Sequence, residues 1–422
     1  MKKIDFKNKK AAVLGLGISG FATAKFLLKQ GAQVLGSDSA SDASLVEKAA
    51  FLRNLGAEIE LGEHRLERIL SSDFIVVSPG IPIDHPVVNA AAKKGVQLTT
   101  EMEIAVDLCS NAKVGVTGTN GKSTVTSMIK HMLNGCGMTA VSCGNIGNPV
   151  IGEIETLSPS TVLVMEMSSF QLFRIGDFKP KVAVLLNITP DHLDWHGSPE
   201  AYADAKWAVF LRQDKNDFSV INENLRVEAM KRKIRSQKLY FSENGGVNPN
   251  KSAAIEAGKA FGINPGDAHA ALESFIPLEH RMEHVAEFEG RTIINDSKST
   301  NVDSLVWALN RLNCPIVLIA GGRSKNAAFE SIAGLVSKKV HTLITIGEQK
   351  ERLLYAWSGV SHREAADSFQ EAVMRAIEIA PVGSAVLLSP ACKSFDMFTN
   401  YEERGRIFKK LVHEHIHAGS HV

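Results

Sequence analysis

The sequence lacks most of what would take it out of the ordinary globular class. Cysteine is scarce: five in 422 residues (Cys109, Cys136, Cys143, Cys314 and Cys392). An odd, scattered set with no C-x-x-C pair excludes a disulfide framework and points to reduced thiols in a cytoplasm. No apolar run approaches the roughly 18 residues of a membrane span, and Met1-Lys2-Lys3-Ile4-Asp5-Phe6 lacks the apolar core of a signal peptide. Charge of one sign is missing too: with a net charge of +1 and 22% charged residues, nothing calls for nucleic acid or a membrane surface as partner. What remains is 44% apolar residues over a length that allows about two to four domains.

One absence is local. The run Lys113-Val114-Gly115-Val116-Thr117-Gly118-Thr119-Asn120-Gly121-Lys122-Ser123-Thr124 reads as a buried strand, a glycine-rich turn and the start of a helix. That arrangement aims backbone N–H groups and a positive helix end at a phosphate, with Lys122 on the β/γ-phosphates and a hydroxyl on Mg²⁺. The pattern G-x-x-x-x-G-K-[ST] needs glycine at 116, where this chain has Val116; Gly115 comes one residue early and Gly118 two late. The run is read as an ATP site whose glycines depart from the generic motif.

Upstream, an apolar strand over 9–17 ends in Gly15-Leu16-Gly17-Ile18-Ser19-Gly20, a helix follows, and Asp38 closes the next strand. This is G-x-G-x-x-G in a βαβ setting, suited to a dinucleotide or nucleotide diphosphate, with NAD the default. Strand 73–77 runs into Ser78-Pro79-Gly80-Ile81, and a last βα pair closes a first domain near residue 110. In the second domain, strand 161–165 delivers Glu166, placed where a Walker-B-type acid orients Mg²⁺. The next strand leads into Asn187-Ile188-Thr189-Pro190-Asp191-His192-Leu193-Asp194-Trp195-His196. Alone, that string suits a metal-hydrolase site or a polar loop with caps; as the next strand-end loop of the same sheet it should face the same phosphates. A helix then carries Tyr202, Lys206 and Trp207, and a single lysine on a helix is usually a solvated charge. Order weakens after strand 216–221, and Pro277 marks a linker.

A third α/β unit opens with His280-Arg281-Met282-Glu283 and a hairpin around Glu289-Gly290. Its polar clusters again follow strands: Asn295-Asp296-Ser297-Lys298-Ser299-Thr300-Asn301, Gly321-Gly322-Arg323-Ser324-Lys325, and Ser389-Pro390-Ala391-Cys392-Lys393-Ser394-Phe395-Asp396. The expected fold class is therefore α/β in three domains: N-terminal Rossmann-like (1–110), a central P-loop ATPase-like parallel sheet (111–278), and C-terminal Rossmann-like (279–422). An ATP loop beside a separate diphosphate-type turn suggests an enzyme that energises one substrate with ATP and joins it to another.

At this point the motifs resemble the Mur ligases. The Thr-Gly-Thr-Asn-Gly-Lys-Ser-Thr turn is similar to that family's shortened G-T-x-G-K-[ST] core. The clusters from Asn295, from Ser389, and Tyr401-Glu402-Glu403-Arg404-Gly405 resemble the branch that adds D-glutamate, and the likeness runs from about Gly15 to Phe408 in the family's order. The resemblance implies that Gly17, Ile18, Ser19 and Asp38 hold the uridine diphosphate end, with Ser78 and Gly80 beside it. It implies that Asn145 and His192 contact the muramoyl substrate UDP-MurNAc-L-Ala or its metal. ATP falls to Gly118, Thr119, Asn120, Gly121, Lys122, Ser123 and Thr124, with Arg281 and Asp296 reaching it from the third domain. Ser123, Glu166, His192 and a carbamylated Lys206 serve Mg²⁺, two ions expected. Lys122, Glu166, His192 and Lys206 form the catalytic set. Lys298, Thr300, Lys325, Ser394, Phe395 and Tyr401 surround D-glutamate.

Two stretches depart from the family's pattern. Val247-Asn248-Pro249-Asn250-Lys251 stands in a shortened central domain where the family has His-Asn-x-x-Asn, which bears on adenine contacts, and Lys393 adds a cation beside the D-glutamate cluster. The implied reaction is phosphoryl transfer to the alanyl carboxylate and attack by an amine, with hinges near 110 and 278 closing the third domain to shield an acyl phosphate from water. The alternatives are a ligase of the same fold using another amino acid or a folate, and a nucleotide-binding regulator without turnover. The expectation is a cytoplasmic monomer acting on small molecules, without nucleic acid or membrane. His413, His415, His417 and His421 are either metal ligands or part of a frayed tail.

Overall fold

A computed structural model describes residues 5–242, 248–324 and 327–419. Val247, Lys325 and His421, singled out in the sequence, lie outside the described residues. Three sheets account for the strands. The first contains β1 (Lys10–Leu14), β2 (Gln33–Asp38), β3 (Glu58–Leu61), β4 (Phe74–Val77) and β5 (Gln97–Thr99) in the order β3-β2-β1-β4-β5, all parallel. The second contains β6 (Lys113–Thr117), β7 (Ala140–Gly144), β8 (Val162–Glu166), β9 (Val182–Leu185), β10 (Phe218–Asn222) and β11 (Gln237–Phe241) in the order β11-β10-β9-β6-β8-β7, again parallel.

The third sheet contains β12 (Glu283–Phe288), β13 (Arg291–Asn295), β14 (Ile316–Gly321), β15 (Val340–Ile346), β16 (His362–Ala365) and β17 (Ala385–Leu388) in the order β12-β13-β17-β14-β15-β16. Only β12 runs antiparallel, pairing with β13 as the expected hairpin around Glu289-Gly290. By compactness the chain divides into two units, Met1–Phe275 with the first two sheets and Ile276–Val422 with the third.

Parallel strands covered on both faces are apolar along nearly their whole length, and the inner strands show this: β4 is Phe-Ile-Val-Val, β8 Val-Leu-Val-Met before its terminal Glu166, and β14 Ile-Val-Leu-Ile-Ala-Gly, every residue buried. Three strands that no pattern in the sequence announces, β3 (Glu-Ile-Glu-Leu), β11 (Gln-Lys-Leu-Tyr-Phe) and β16 (His-Arg-Glu-Ala), all lie at sheet edges. Edge strands are short and carry charge, so their composition mimics a loop. The C-terminal tail is not frayed over its described part: Tyr401–Gly419 is one helix that buries Phe408, Leu411 and Val412.

In the first unit, the helix Glu101–Leu108 after β5 sends Met102, Ile104 and Ala105 into a cluster that also holds Val150, Ile151 and Leu172 of the second sheet's connections. Polar links follow the same seam. Lys29 pairs with Glu155 at 2.7 Å, the Gly176 amide donates to Glu103 Oε1 at 2.9 Å, and Arg174 donates to the carbonyls of Ile81 and Pro82 at 3.0 Å each.

Candidate active site

β6 sits in the middle of its sheet and feeds directly into the glycine turn, so the helix Lys122–Gly135 starts at the carboxyl edge, where open parallel sheets bind ligands. Gly121 caps that helix at φ +87°, and Gly118 lies at φ +154°. A Cβ on Gly118 would stand 2.9 Å from Leu186 Cβ, so the turn needs glycine for close approach as well as for its dihedrals. The Lys122 ammonium is folded over its own loop, donating to the carbonyls of Gly118 at 2.9 Å and Thr119 at 2.7 Å. Thr119 Oγ1 bridges the Thr189 carbonyl at 3.0 Å and the Tyr202 hydroxyl at 2.9 Å.

Lys206 is not the solvated charge expected of a lone helical lysine. It is 1% exposed on the helix Pro199–Trp207, lies 4.6 Å from the centre of the Tyr202 ring, and donates to the Gly118 carbonyl at 2.7 Å. Two lysine amines therefore share one carbonyl oxygen. Burial, then the neighbouring Lys122 charge, holds the Lys206 amine well below the usual lysine range, against the pull of Asp191 and Glu166.

Glu166 ends β8, 2% exposed. Its Oε1 accepts from Asn145 Nδ2 at 2.7 Å, while Oε2 is buried without a hydrogen-bond partner, as is Thr124 Oγ1. Buried polar atoms are rarely left so, and orphaned oxygens of hard donors suit a cation or its water shell. No three His, Cys, Asp or Glu side chains among the described residues converge to hold a metal. His192 lies beyond β9 at φ +52°, its ring 4.8 Å from that of Phe170 and its Nε2 3.7 Å from Asp191 Oδ2.

The first sheet presents the other half. Gly15 (φ +85°) and Gly17 lead into the helix Ile18–Lys29, and a Cβ on Gly20 would fall 1.8 Å from the Gly15 carbonyl oxygen. Ser78 Oγ donates to that carbonyl at 2.8 Å. The Asp38 carboxylate braces the turn, Oδ2 accepting from the Leu16 amide at 2.7 Å and Oδ1 from Ala40 at 3.0 Å. One cavity of about 460 Å³ joins the halves: Gly15, Gly17, Ile18, Ser19, Ser78 and Gly80 on one wall, and Gly144, Asn145, Gly147, Ser168, Phe170 and Gln171 on the other. Ile18, 70% exposed, offers an apolar surface at its rim.

In the second unit, the carboxyl ends of neighbouring β13, β17 and β14 gather the third-domain residues. Asp296 is buried, accepts from Ser389 Oγ at 2.8 Å and the Met282 amide at 3.1 Å, and is pushed up to about 6 by burial, the Arg281 charge partly offsetting this. Arg281 Nε is buried without a hydrogen-bond partner. Lys298 Nζ stands 5.1 Å from the centre of the Tyr401 ring, and Thr300 is half-buried nearby in sequence. Arg323 and Lys393 pair their backbones at 2.8 and 3.0 Å, and Ser394 (buried) and Phe395 (exposed) follow directly. Buried Arg404 donates to the carbonyls of Ser297 and Cys392, tying two of the clusters together. Lys393 itself is exposed.

Some neighbours of the site are not legible as such in the sequence. Ser168, Phe170 and Gln171 read as a loop after a strand, yet they wall the cavity. Asn250, in the stretch that departs from the family's pattern, caps no visible motif; the helix Pro249–Lys259 nonetheless brings its Oδ1 to 3.0 Å from where a Gly121 Cβ would be.

Comparison with known proteins matches three family models in this order: the MurD-like N-terminal domain of Mur ligases over residues 9–100, the Mur ligase middle domain over 116–270, and the Mur ligase glutamate ligase domain over 280–392. Among curated proteins, the UDP-N-acetylmuramoylalanine–D-glutamate ligase of Pelotomaculum thermopropionicum is 38% identical over 97% of this chain and 98% of its own length. That of Geotalea uraniireducens is 39% identical with the same coverage. Among solved structures, a MurF ligase from Thermotoga maritima in complex with ADP superposes with a TM-score of 0.61 at 15% identity, covering 98% of this chain and all of that one. The UDP-N-acetylmuramate–alanine ligase MurC of the same organism gives 0.60 at 17%, covering 96% and 100%. These two likenesses concern the fold. With a phosphate loop, a diphosphate-type turn and a strand-end carboxylate in one unit, and full-length relatives well above 30% identity, the chain belongs to the Mur ligase family, among the relatives of its D-glutamate-adding branch.

Proposed function

We propose that this chain is the ATP-dependent ligase that joins D-glutamate to UDP-N-acetylmuramoyl-L-alanine, a cytoplasmic step in building the peptidoglycan precursor. The observation that carries the reading is one cavity with a nucleotide-diphosphate-type turn on one wall and Asn145, the partner of Glu166, on the other. A long substrate anchored by its diphosphate on the first sheet would extend its alanyl carboxylate toward the phosphate loop. A carboxylate oxygen attacks the γ-phosphorus of ATP and ADP leaves; the D-glutamate amine attacks the resulting acyl phosphate, loses a proton, and inorganic phosphate departs as the amide forms.

The residue roles follow the resemblance. Gly118, Thr119, Asn120, Gly121, Lys122, Ser123 and Thr124, with Arg281 and Asp296, bind ATP. Gly17, Ile18, Ser19, Asp38, Ser78, Gly80 and Asn145 hold the UDP substrate. Lys298, Thr300, Lys325, Ser394, Phe395 and Tyr401 take D-glutamate. These sets divide the chain into segments 1–110, 111–278 and 279–422. Mg²⁺, two ions, would be held by Ser123, Glu166, His192 and a carbamylated Lys206, and would neutralise charge on the phosphates. The orphaned Glu166 Oε2 supports this, and the buried, easily deprotonated Lys206 amine supports the carbamate, since only a neutral amine adds CO₂. The Lys122 ammonium, folded over its loop, is poised to exchange carbonyls for the transferring phosphoryl group. The enzyme acts as a monomer on small molecules, without nucleic acid or membrane; no helix among the described residues is long and apolar enough to cross one.

Phosphate release measured with each substrate omitted in turn tests the function. Release should require both UDP-N-acetylmuramoyl-L-alanine and D-glutamate; equal release with L-glutamate or L-alanine would leave only the family-level reading.

A further inference from the structure

We propose that Asn187 is a positioning residue that sets the curvature of the phosphate loop by holding both main-chain polar atoms of Asn120. Asn187 stands two residues beyond β9. Its Oδ1 accepts the Asn120 amide hydrogen at 2.8 Å, its Nδ2 donates to the Asn120 carbonyl at 3.0 Å, and its own carbonyl accepts from the Thr119 amide at 3.0 Å. One residue thus makes three hydrogen bonds to two consecutive residues of the loop. Its base is fixed on both sides: the Leu186 amide donates to the Thr117 carbonyl at 3.0 Å, and buried Asn222, at the end of β10, donates to the Leu186 carbonyl at 2.9 Å.

A phosphate loop works by pointing successive backbone N–H groups at one anion, and a single misdirected peptide plane lowers affinity. In this chain the Asn120 N–H is committed to Asn187, so the peptide plane between Thr119 and Asn120 is pinned in advance. The amides of the helix's first turn, from Gly121 onward, are thereby aimed without reorganisation when nucleotide arrives. The same clamp reaches the chemistry by a second path. Two residues after Asn187, the Thr189 amide donates to Thr119 Oγ1 at 3.0 Å, and the chain continues to Asp191 and His192. Asn187 therefore sets the phosphate loop and the His192 loop in one register.

The proposal rests on the nucleotide-site reading, and its test separates the two. ATP and ADP binding, with Mg²⁺, is titrated by fluorescence for the wild type and for Asn187→Ala and Asn187→Ser, alongside steady-state KM values. Losing both bonds to Asn120 should raise Kd and KM for the nucleotide on the order of tenfold or more. KM for UDP-N-acetylmuramoyl-L-alanine should stay within about twofold, and Tm within a few degrees. Asn187→Ser, whose hydroxyl can serve one of the two bonds, should fall between, and it replaces the alanine variant if that fails to fold. Parallel rises in both KM values with a falling Tm, or no change in nucleotide affinity, would overturn the proposal. A wild type that binds no nucleotide would instead overturn the reading of the site.

Discussion

Replacing Glu101 with glutamine should stabilise the protein, and only at neutral to alkaline pH. Glu101 opens the helix Glu101–Leu108 and is 3% exposed. Its Oε1 accepts the Ile151 amide hydrogen at 2.7 Å, with the Val150 amide also donating, so it spans the seam between the first two sheets. Burial raises its carboxyl from 4.5 to about 7 against the pull of those two amides. The nearest groups of the second sheet that feel its charge include the Cys143 thiol, itself pushed up by burial and then by Glu101.

A carboxyl that holds its proton more tightly when folded contributes stability that is complete below about pH 4.5 and is lost as pH rises through about 7. The rise from 4.5 to about 7, at about 1.4 kcal/mol per pH unit, sets an upper bound of about 3.5 kcal/mol for ionised Glu101 at pH 8. Glutamine keeps the Oε1 acceptor and cannot ionise. For a unit of the size of Met1–Phe275, about 3.5 kcal/mol corresponds to a Tm rise of about 6 °C. Thermal melts of wild type and Glu101→Gln at pH 5 and pH 8 measure it. A similar shift at both pH values, or a variant less stable at pH 8, would refute the reasoning.

Three further changes bear on the site. Lys122→Ala should cut ATP turnover by on the order of 100-fold or more while the protein stays folded, because the phosphoryl group loses its preorganised cation; near-normal kcat would sink the phosphate-loop reading. Lys206→Ala should lose activity that short carboxylic acids partly restore, and the wild type should slow in CO₂-stripped buffer; full activity in either condition counts against a carbamate. Gly20→Ala places a methyl 1.8 Å from the Gly15 carbonyl oxygen, so KM for the UDP substrate should rise steeply, and an unchanged KM would mean that the diphosphate turn is not where this substrate binds.

The division between what the sequence discloses and what it hides has physical causes. Inner strands such as β4, β8 and β14 are apolar up to their carboxyl ends, so their runs stand out, and so do the polar residues that follow them. The edge strands β3, β11 and β16 bond on one side only and tolerate charge, so nothing separates them from loops. The glycine turns are legible because only glycine accepts the dihedrals and contacts at Gly15, Gly118 and Gly121. Lys206 misleads in the opposite direction. Its burial comes from Tyr202, on its own helix, and a loop carbonyl 88 residues earlier, and periodicity reports on neither contact. Asn187 is equally silent, since an asparagine after a strand ordinarily marks a turn.

The shared apolar seam of the first unit has a practical consequence for anyone dissecting the protein. Met102, Ile104 and Ala105 lie in one cluster with Val150, Ile151 and Leu172. A fragment ending near residue 110 would carry an intact five-stranded sheet with its covering surface stripped away, and would also keep Lys29 and the Ile81 and Pro82 carbonyls without their partners Glu155 and Arg174. Such a piece should be sticky on expression and hold half a binding site. The Phe275–Ile276 boundary separates two compact units, so that junction, rather than the one between the first two sheets, is where this chain can be divided and its halves exchanged with those of a relative.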